Sequence, residues 1–138
     1  MDMRALMEQF STSGHNGLLG IRYVDHGDDW VELALDYNEK MVGISSEGLL
    51  ASGPIFTLMD MTAGMAVAAK LGEMRHQATL DLRVDYLRPA TPGRSLIGRA
   101  ECYRLARRVA FVRGVAQDGA ADIPVAHIAG TFMLIDEE

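Results

Sequence analysis

The stretch LLASGPIFTLMDMTAG, Leu49–Gly64, places a single carboxylate inside an otherwise uncharged run. Asp60 is the only ionisable side chain between Glu47 and Lys70. A helical Asp ordinarily belongs to a solvated polar face, but no other charge is present here to form one. Burying an unpaired carboxylate is costly, so proteins keep such groups mainly where they have a partner or a task. The stretch therefore predicts a buried helix that carries one functional acid.

The apolar run predicts a helix from about Pro54 to Leu71. Ser52 is the expected N-cap, and Pro54 in the first turn costs no hydrogen bond because the first N–H groups of a helix have no partner within it. Gly72 follows in the position favoured for a C-terminal cap. A membrane span is the alternative, but Asp60 at the bilayer centre would cost about 2.5–3.5 kcal/mol. We therefore do not expect a span.

Six segments show the alternation of apolar and polar residues, or the composition, that is typical of strands. Two precede the helix and four follow it. They are LGIRYVDHG (19–27), WVELALDY (30–37), ATLDLRVDYL (78–87), SLIGRAECYRLA (95–106), VAFVRGVAQ (109–117) and PVAHIAGTFMLI (124–135). The intervening NEKMVGISSEG (38–48) is predicted to be a loop. In the third segment, alternation predicts one face with Leu80, Leu82, Val84 and Tyr86 and the opposite face with Thr79, Asp81, Arg83 and Asp85.

One apolar helix and about six strands predict an α+β domain in which a curved antiparallel sheet wraps the helix, the hotdog arrangement. The whole chain, 1–138, fits this single domain, and residues 1–18 form an amphipathic N-terminal helix and lead-in. A single sheet leaves an unpaired edge strand, and such edges promote association. We therefore expect a homodimer formed by sheet continuation.

The composition argues against several function classes. A formal net charge of -6 disfavours nonspecific nucleic-acid binding, which needs a clustered positive surface. The four histidines and Cys102 show no metal-ligand spacing, so no metal is expected. The single cysteine excludes an intrachain disulfide and suits a reducing compartment. The start, MDMRALMEQF, lacks the continuous apolar stretch of a signal peptide, so we expect a cytoplasmic protein.

Three groups near this helix together suit acyl transfer to water. The amides of Ser52 and Gly53, at the helix N-terminus, can hold an oxyanion, because Pro54 contributes no N–H. Asp60 lies about two turns further along, too far to act at the same helix end, but it can reach a site beside the helix N-terminus of a neighbouring subunit. Thr79 opens the polar face of the next strand and supplies a hydroxyl that can position water.

These residues also carry a resemblance. GLLASGPIFTLMDMTAG, ATLDLRVDYLRPATPG and RRVAFVRGVAQD resemble segments of the hotdog-fold thioesterases of the PaaI type, over about Leu19 to Leu134. In that family an Asn-x-x-Gly-x-x-His-Gly-Gly stretch precedes a helix whose Asp is the nucleophile or general base. The resemblance puts that Asp at Asp60 and the water-holding hydroxyl at Thr79. It implies acyl-coenzyme A hydrolysis, without a further cofactor, at a site shared across a dimer that is commonly part of a tetramer.

The motif itself is divergent in this chain. Its first and last glycines are Gly48 and Gly53, but Ser45 replaces the Asn, Ala51 the His and Ser52 the middle Gly. Ser52 still carries a backbone N–H, and Ser45 is a candidate substrate contact. The loss of both motif side chains keeps a second hypothesis open, a non-catalytic acyl-CoA binding protein. A hotdog hydratase or dehydratase ranks last, because no histidine lies near the start of the helix.

Candidate substrate-binding residues follow from the substrate that the resemblance implies together with side-chain chemistry. Phe56 and its apolar neighbours on the helix are candidates for contacting the acyl group. Coenzyme A carries phosphates, which arginine forks suit. Two arginine clusters are therefore candidates for binding the phosphates of coenzyme A. They are Arg88 with Arg94, and Arg104 with Arg107 and Arg108.

Overall fold

The computed structural model describes residues 2–136 and confirms the hotdog arrangement: a long helix, α3, packs in a curved antiparallel sheet of six strands. The strand order is β1-β2-β6-β7-β8-β5, so β1 and β5 are the edges. The helices are α1 (Met3–Thr12), α2 (Gly14–Leu19) and α3 (Ser52–Leu71). The strands are β1 (Ile21–His26), β2 (Trp30–Leu35), β3 (Val42–Ile44), β4 (Leu49–Leu50), β5 (Gln77–Tyr86), β6 (Leu96–Leu105), β7 (Val109–Gln117) and β8 (Ala126–Leu134).

Helix α3 is buried around most of its circumference. Eleven of its 20 residues are buried, from Ile55 to Ala69. The sheet approaches it closely at Gly98 on β6, where an added Cβ would lie 2.8 Å from the sulfur of Met59 and 3.0 Å from the hydroxyl of Thr62. Small residues on both sides therefore allow the helix to sit against the sheet, as the apolar sequence of α3 predicts.

The two ends of α3 differ in how well the sequence predicted them. The C-terminal end is confirmed: Gly72 adopts φ 74°, and its N–H donates to the carbonyls of Ala68 and Ala69. The N-terminal prediction is wrong, because Ala51 occupies the N-cap position and Ser52 is already the first helical residue. No side chain of the described chain caps this end, so its first amides are left available.

Strand β5 contains a bulge that the alternation of its sequence does not reveal. Thr79 pairs with Phe132 of β8, but Asp81 pairs with Thr131, which leaves Leu80 as an extra residue. The predicted grouping of Leu80 with Leu82 is therefore wrong: Leu80 is 52% exposed, whereas Leu82 packs against the core. The bulge brings Thr79 onto the helix-facing side, opposite to its predicted face.

The N-terminal half contains more structure than predicted. The segment predicted as a loop holds a 3₁₀ turn, Glu39–Met41, and strand β3, which pairs with β4 in a separate two-stranded sheet. The predicted N-terminal helix is two helices, α1 and α2, with Met7 fully buried. Among residues 2–136, no helix is long and apolar enough to cross a membrane.

Candidate functional site

Asp60 and Thr79 meet where α3 faces the start of β5. The hydroxyl of Thr79 donates to Oδ1 of Asp60 across 3.0 Å. Asp60 is half-buried, and its Oδ2 accepts no hydrogen bond from any residue in the described range. The bulge at Leu80 makes this contact possible, because a regular strand would turn Thr79 away from the helix. One carboxylate oxygen is therefore fixed by a hydroxyl while the other remains available to a ligand or a water molecule.

This pair lies in a cleft of about 510 Å³, which we call the acid cleft. Its polar lining is Asp60, Thr79, Gln77, His76 and Arg75. Its apolar lining is Phe10, Met61, Met65, Met74 and Phe132, with Gly64 between them. A lone carboxylate in a mainly apolar cleft is suited to act on an uncharged group brought in by an apolar ligand.

Gln77 sits two residues before Thr79 and ties the start of β5 to the helix. Its Nε2 donates to the carbonyl of Gly64 across 2.8 Å, and an added Cβ at Gly64 would lie 3.4 Å from that nitrogen. Its Oε1 is buried and has no partner within residues 2–136. Gln77 thus holds β5 against α3 beside the Asp60–Thr79 contact.

A second cleft, of about 420 Å³, opens at the N-terminus of α3 and is called here the amide cleft. Ser52 lines it, and an added Cβ at Gly53 would meet nothing within 4 Å. The Tyr86 hydroxyl donates to the carbonyl of Ser52 across 3.3 Å, and burial raises the pKa of Tyr86. The rest of the lining is Leu50, Ile55, Leu87, Arg88, Pro89 and Ala90. The exposed helix end therefore offers backbone N–H groups with a partial positive charge.

The two clefts are separate within one chain. Eight residues of α3 separate Ser52 from Asp60, which corresponds to about 12 Å along the helix axis. The clefts also lie at opposite ends of β5: Gln77 and Thr79 at its start line the acid cleft, and Tyr86 at its end lines the amide cleft. A single chain therefore does not bring its own Ser52 and Gly53 to its own Asp60.

Arg88, predicted as a phosphate ligand, donates all its side-chain N–H groups to acceptors within the protein. Its Nη1 and Nη2 donate to both oxygens of Asp118, and the remaining N–H groups donate to the side chain of Gln117 and to the carbonyls of Ile123 and Pro89. A guanidinium has five N–H donors, and all five have acceptors here. The hydrogen bonds from Arg88 are the main reason that the pKa of Asp118 lies well below its ordinary value. The geometry thus gives Arg88 a structural role behind the amide cleft.

The other predicted contacts are spread over the surface. Ser45 is exposed in the turn between β3 and β4. Gly48, in the same turn, has φ 67°, and its carbonyl accepts from the Tyr37 hydroxyl, so this glycine is required by the turn conformation. Phe56 is 41% exposed on α3, and Arg94 is exposed between β5 and β6.

The arginines of the β6–β7 turn remain solvent-exposed. Arg104 lies in the last paired part of β6, opposite Phe111, and Arg107 and Arg108 occupy the turn. Nη2 of Arg108 lies 3.2 Å from Oδ2 of Asp136. The same carboxylate contacts Arg75, a lining residue of the acid cleft that the sequence analysis did not single out. Arg75 precedes β5 in a segment with no motif, so only the folded chain connects it with the site.

Comparison with known proteins identifies the family and the shared fold. The profile of the thioesterase superfamily matches residues 47–120, which contain Ser52, Gly53, Asp60 and Thr79. The medium/long-chain acyl-CoA thioesterase YigI of Escherichia coli is 26% identical over 132 residues, which cover 86% of this chain and 84% of that protein. A relative from Halobacterium salinarum is 34% identical over 93 residues, which cover 64% of this chain but only 62% of that protein.

Solved structures share the fold over nearly the whole chain. A Pseudomonas aeruginosa protein superposes with a TM-score of 0.86 at 34% identity, covering 96% of this chain and 99% of that one. The PaaI protein of E. coli, from the phenylacetic acid degradation operon, superposes with a TM-score of 0.82 over 96% of this chain and 91% of its own. At 16% identity, PaaI supports the shared fold alone. Because the family profile matches more than half of the sequence, the chain belongs to the thioesterase superfamily.

Proposed function

We propose that this protein hydrolyses acyl-coenzyme A thioesters to a free acid and coenzyme A, and that Asp60 is its catalytic carboxylate. The observation that carries the proposal is the 3.0 Å hydrogen bond from Thr79 to Asp60 inside the acid cleft. It leaves Oδ2 available to take a proton from water or to attack the carbonyl carbon. The family membership supports thioester hydrolysis as the reaction class.

Two chemical routes are compatible with this geometry. In the general-base route, Asp60 takes a proton from water, the water oxygen bonds to the thioester carbon, and the C–S bond breaks as the thiolate leaves and acquires a proton. In the nucleophilic route, Asp60 itself bonds to that carbon, expels the thiolate, and water then cleaves the acyl anhydride. Thr79 orients the water in either case. A single turnover in ¹⁸O-water separates the routes, because only direct attack leaves label in the enzyme.

The complete site is proposed to form between two copies of the chain. Strand β5 is a sheet edge, and the acid and amide clefts lie at its opposite ends. Antiparallel pairing of β5 with the β5 of a second copy brings the acid end of one beside the amide end of the other. The amides of Ser52 and Gly53 of one subunit then face Asp60 of its mate and hold the oxyanion. A tetramer built from two such dimers is the expected larger assembly.

The apolar lining of the acid cleft favours an uncharged acyl chain. Met61, Met65 and Met74 are flexible and adapt to ligands of different shape. The name of the YigI relative, a medium/long-chain acyl-CoA thioesterase, supports acyl chains of that class here. Arg104 and Arg107 remain candidates for contacts with the phosphates of coenzyme A.

The test is thiol release from a series of acyl-CoA thioesters, measured with a thiol reagent for the wild-type protein and for Asp60→Asn. We expect turnover of medium or long chains by the wild type, and a loss of about 10³-fold in kcat in the variant with unchanged unfolding behaviour. Binding of acyl-CoA in calorimetry without thiol release would identify a non-catalytic binding protein instead. Equal turnover by Asp60→Asn would show that another group does the chemistry.

A further inference from the structure

Two arginines share one carboxylate, and one of the two arginines lines the acid cleft. Arg75 lines the cleft, and its Nη2 donates to Oδ1 of Asp136. Arg108 approaches Oδ2 of the same residue at 3.2 Å. The backbone fixes this convergence, because the N–H of residue 135 donates to the carbonyl of residue 76 and the N–H of residue 134 donates to the carbonyl of Arg108. Residue 136 is therefore held between the two guanidinium groups.

This cluster differs from the buried pair of Arg88 and Asp118 in how far its donors are used. Arg75 and Arg108 each place one nitrogen on Asp136, and the side chains are 30% and 64% exposed. Asp136 itself is 55% exposed. Exposed ion pairs add little stability because water screens them, so an incoming anion can replace the carboxylate at low cost. Within residues 2–136, neither guanidinium makes a side-chain hydrogen bond to a second acceptor, so other N–H donors can serve that anion.

The charge context makes this position selective for an anionic part of a ligand. The chain as a whole carries a formal net charge of -6, which repels anions at long range. Beside the acid cleft, however, Arg75 and Arg108 bring two guanidinium groups together on one carboxylate. A monoester phosphate carries about −1.5 to −2 charge and three acceptor oxygens, so it can occupy two arginine forks more fully than an aspartate can.

We propose that Arg75 and Arg108 receive a phosphate of the coenzyme A thioester and that Asp136 is an internal competitor for them, a contact that weakens substrate binding until the phosphate displaces it. The proposal rests on the proposed function, since it takes the phosphate from that substrate. It assigns two roles: the arginines bind the nucleotide end of the substrate, and Asp136 sets how much of the arginine charge is free.

The test compares two substrates with the same acyl chain, one carried on coenzyme A and one on N-acetylcysteamine, which has no phosphate. We expect Arg75→Gln and Arg108→Gln to raise KM for the coenzyme A thioester by roughly tenfold and to leave KM for the truncated substrate unchanged. Asp136→Asn is expected to lower KM for the coenzyme A thioester by roughly threefold. Dissociation constants for coenzyme A itself, measured by calorimetry, are expected to change in the same directions.

The matched control is the exposed pair of Arg113 and Glu101 on the outer face of the sheet, joined across 2.5 Å. Arg113→Gln and Glu101→Gln make the same charge changes away from the cleft and are expected to leave both KM values unchanged. If the arginine variants do not alter the coenzyme A constants, the phosphate site is wrong even when hydrolysis occurs. If Asp136→Asn weakens binding as the arginine variants do, Asp136 orients the arginines and does not compete. If no thioester is hydrolysed, the proposed function fails, while calorimetry with coenzyme A still decides the anion site.

Discussion

The acid cleft and the amide cleft hold opposite halves of the proposed chemistry. The acid cleft has an apolar wall and a carboxylate with one oxygen that accepts no hydrogen bond within residues 2–136, but the helix amides are about 12 Å away. The amide cleft has uncapped N–H groups but no free acid, since Asp118 behind it is bound by Arg88. Each cleft is therefore chemically incomplete, and a second copy of the chain is the simplest source of the missing half.

The two clefts also differ in how many contacts hold the carboxylate next to them. Behind the amide cleft, Asp118 accepts from Arg88, from the N–H of Thr91 at 2.8 Å and from the N–H of Ala120 at 2.9 Å. Beside the acid cleft, Asp136 is 55% exposed and contacts Arg75 and Arg108. A buried, fully hydrogen-bonded carboxylate is costly to disrupt, whereas an exposed ion pair adds little stability.

The largest expected effect tests whether the two clefts act together across subunits. Ser52→Pro removes one amide of the amide cleft and fits the local backbone, because Ala51 is extended with ψ 153° and proline is favoured at the first helical position. We expect Ser52→Pro to lower kcat by about 10²-fold and Asp60→Asn by about 10³-fold. Unfolding and refolding the two variants together should restore activity.

Restoration arises because a mixed dimer contains one site with an intact acid and an intact helix end. The control is each variant refolded alone, which should stay inactive at the same total concentration. If the mixture is no more active than the sum of the separate variants, both groups act within one chain or the dimer is arranged differently.

The next effect concerns the stability of the amide cleft. Asp118→Ala is expected to lower the free energy of unfolding by about 3 kcal/mol, because it leaves the Arg88 guanidinium, 19% exposed, without its carboxylate. The native pKa of Asp118 is depressed, so its contribution is present above the unfolded pKa of about 3.9 and is lost as the pH falls towards the native value. Urea unfolding of both proteins at neutral and acidic pH should show the difference shrinking on acidification. A constant difference would mean that the lost packing of Asp118, not its charge, is responsible.

The sequence predicted those features that depend on local pattern. Gly72 marked the end of α3. The uncharged run around Asp60 predicted that α3 is buried and that it carries a single acid. The face of the sheet on which Thr79 lies could not be predicted, because the bulge at Leu80 depends on the pairing with β8. The polar–apolar alternation of the β5 sequence shows no interruption at that point. The role of Arg88 was also hidden, since its partner Asp118 lies 30 residues away and is reached only in the folded sheet.

A smaller expected effect compares two threonine hydroxyls, that of Thr79 in the acid cleft and that of Thr57 within α3. Thr79→Val removes the hydrogen bond to Asp60 while keeping the shape of the side chain, and we expect kcat to fall by roughly ten- to thirtyfold, as for a lost hydrogen bond to a charged group. Thr57→Val removes a bond of similar length, 3.1 Å to the carbonyl of Gly53, near the amide end. It should leave kcat unchanged. Steady-state kinetics of both variants checks the comparison, and an equal loss in both would reduce Thr79 to a general packing role.

The smallest effect contrasts the middle of α3 with its exposed end through two glycines. Gly98→Ala puts a Cβ 2.8 Å from the sulfur of Met59 and 3.2 Å from Cγ of Leu58, so overpacking should lower the free energy of unfolding by about 1–2 kcal/mol. Gly53→Ala puts its Cβ into open space in the first turn of the helix and should raise stability by a few tenths of a kcal/mol. Urea midpoints of the two variants give both signs directly. Equal midpoints would mean that the flexible Met59 side chain moves aside, and that the close packing of β6 on α3 does not limit how the acid cleft is held.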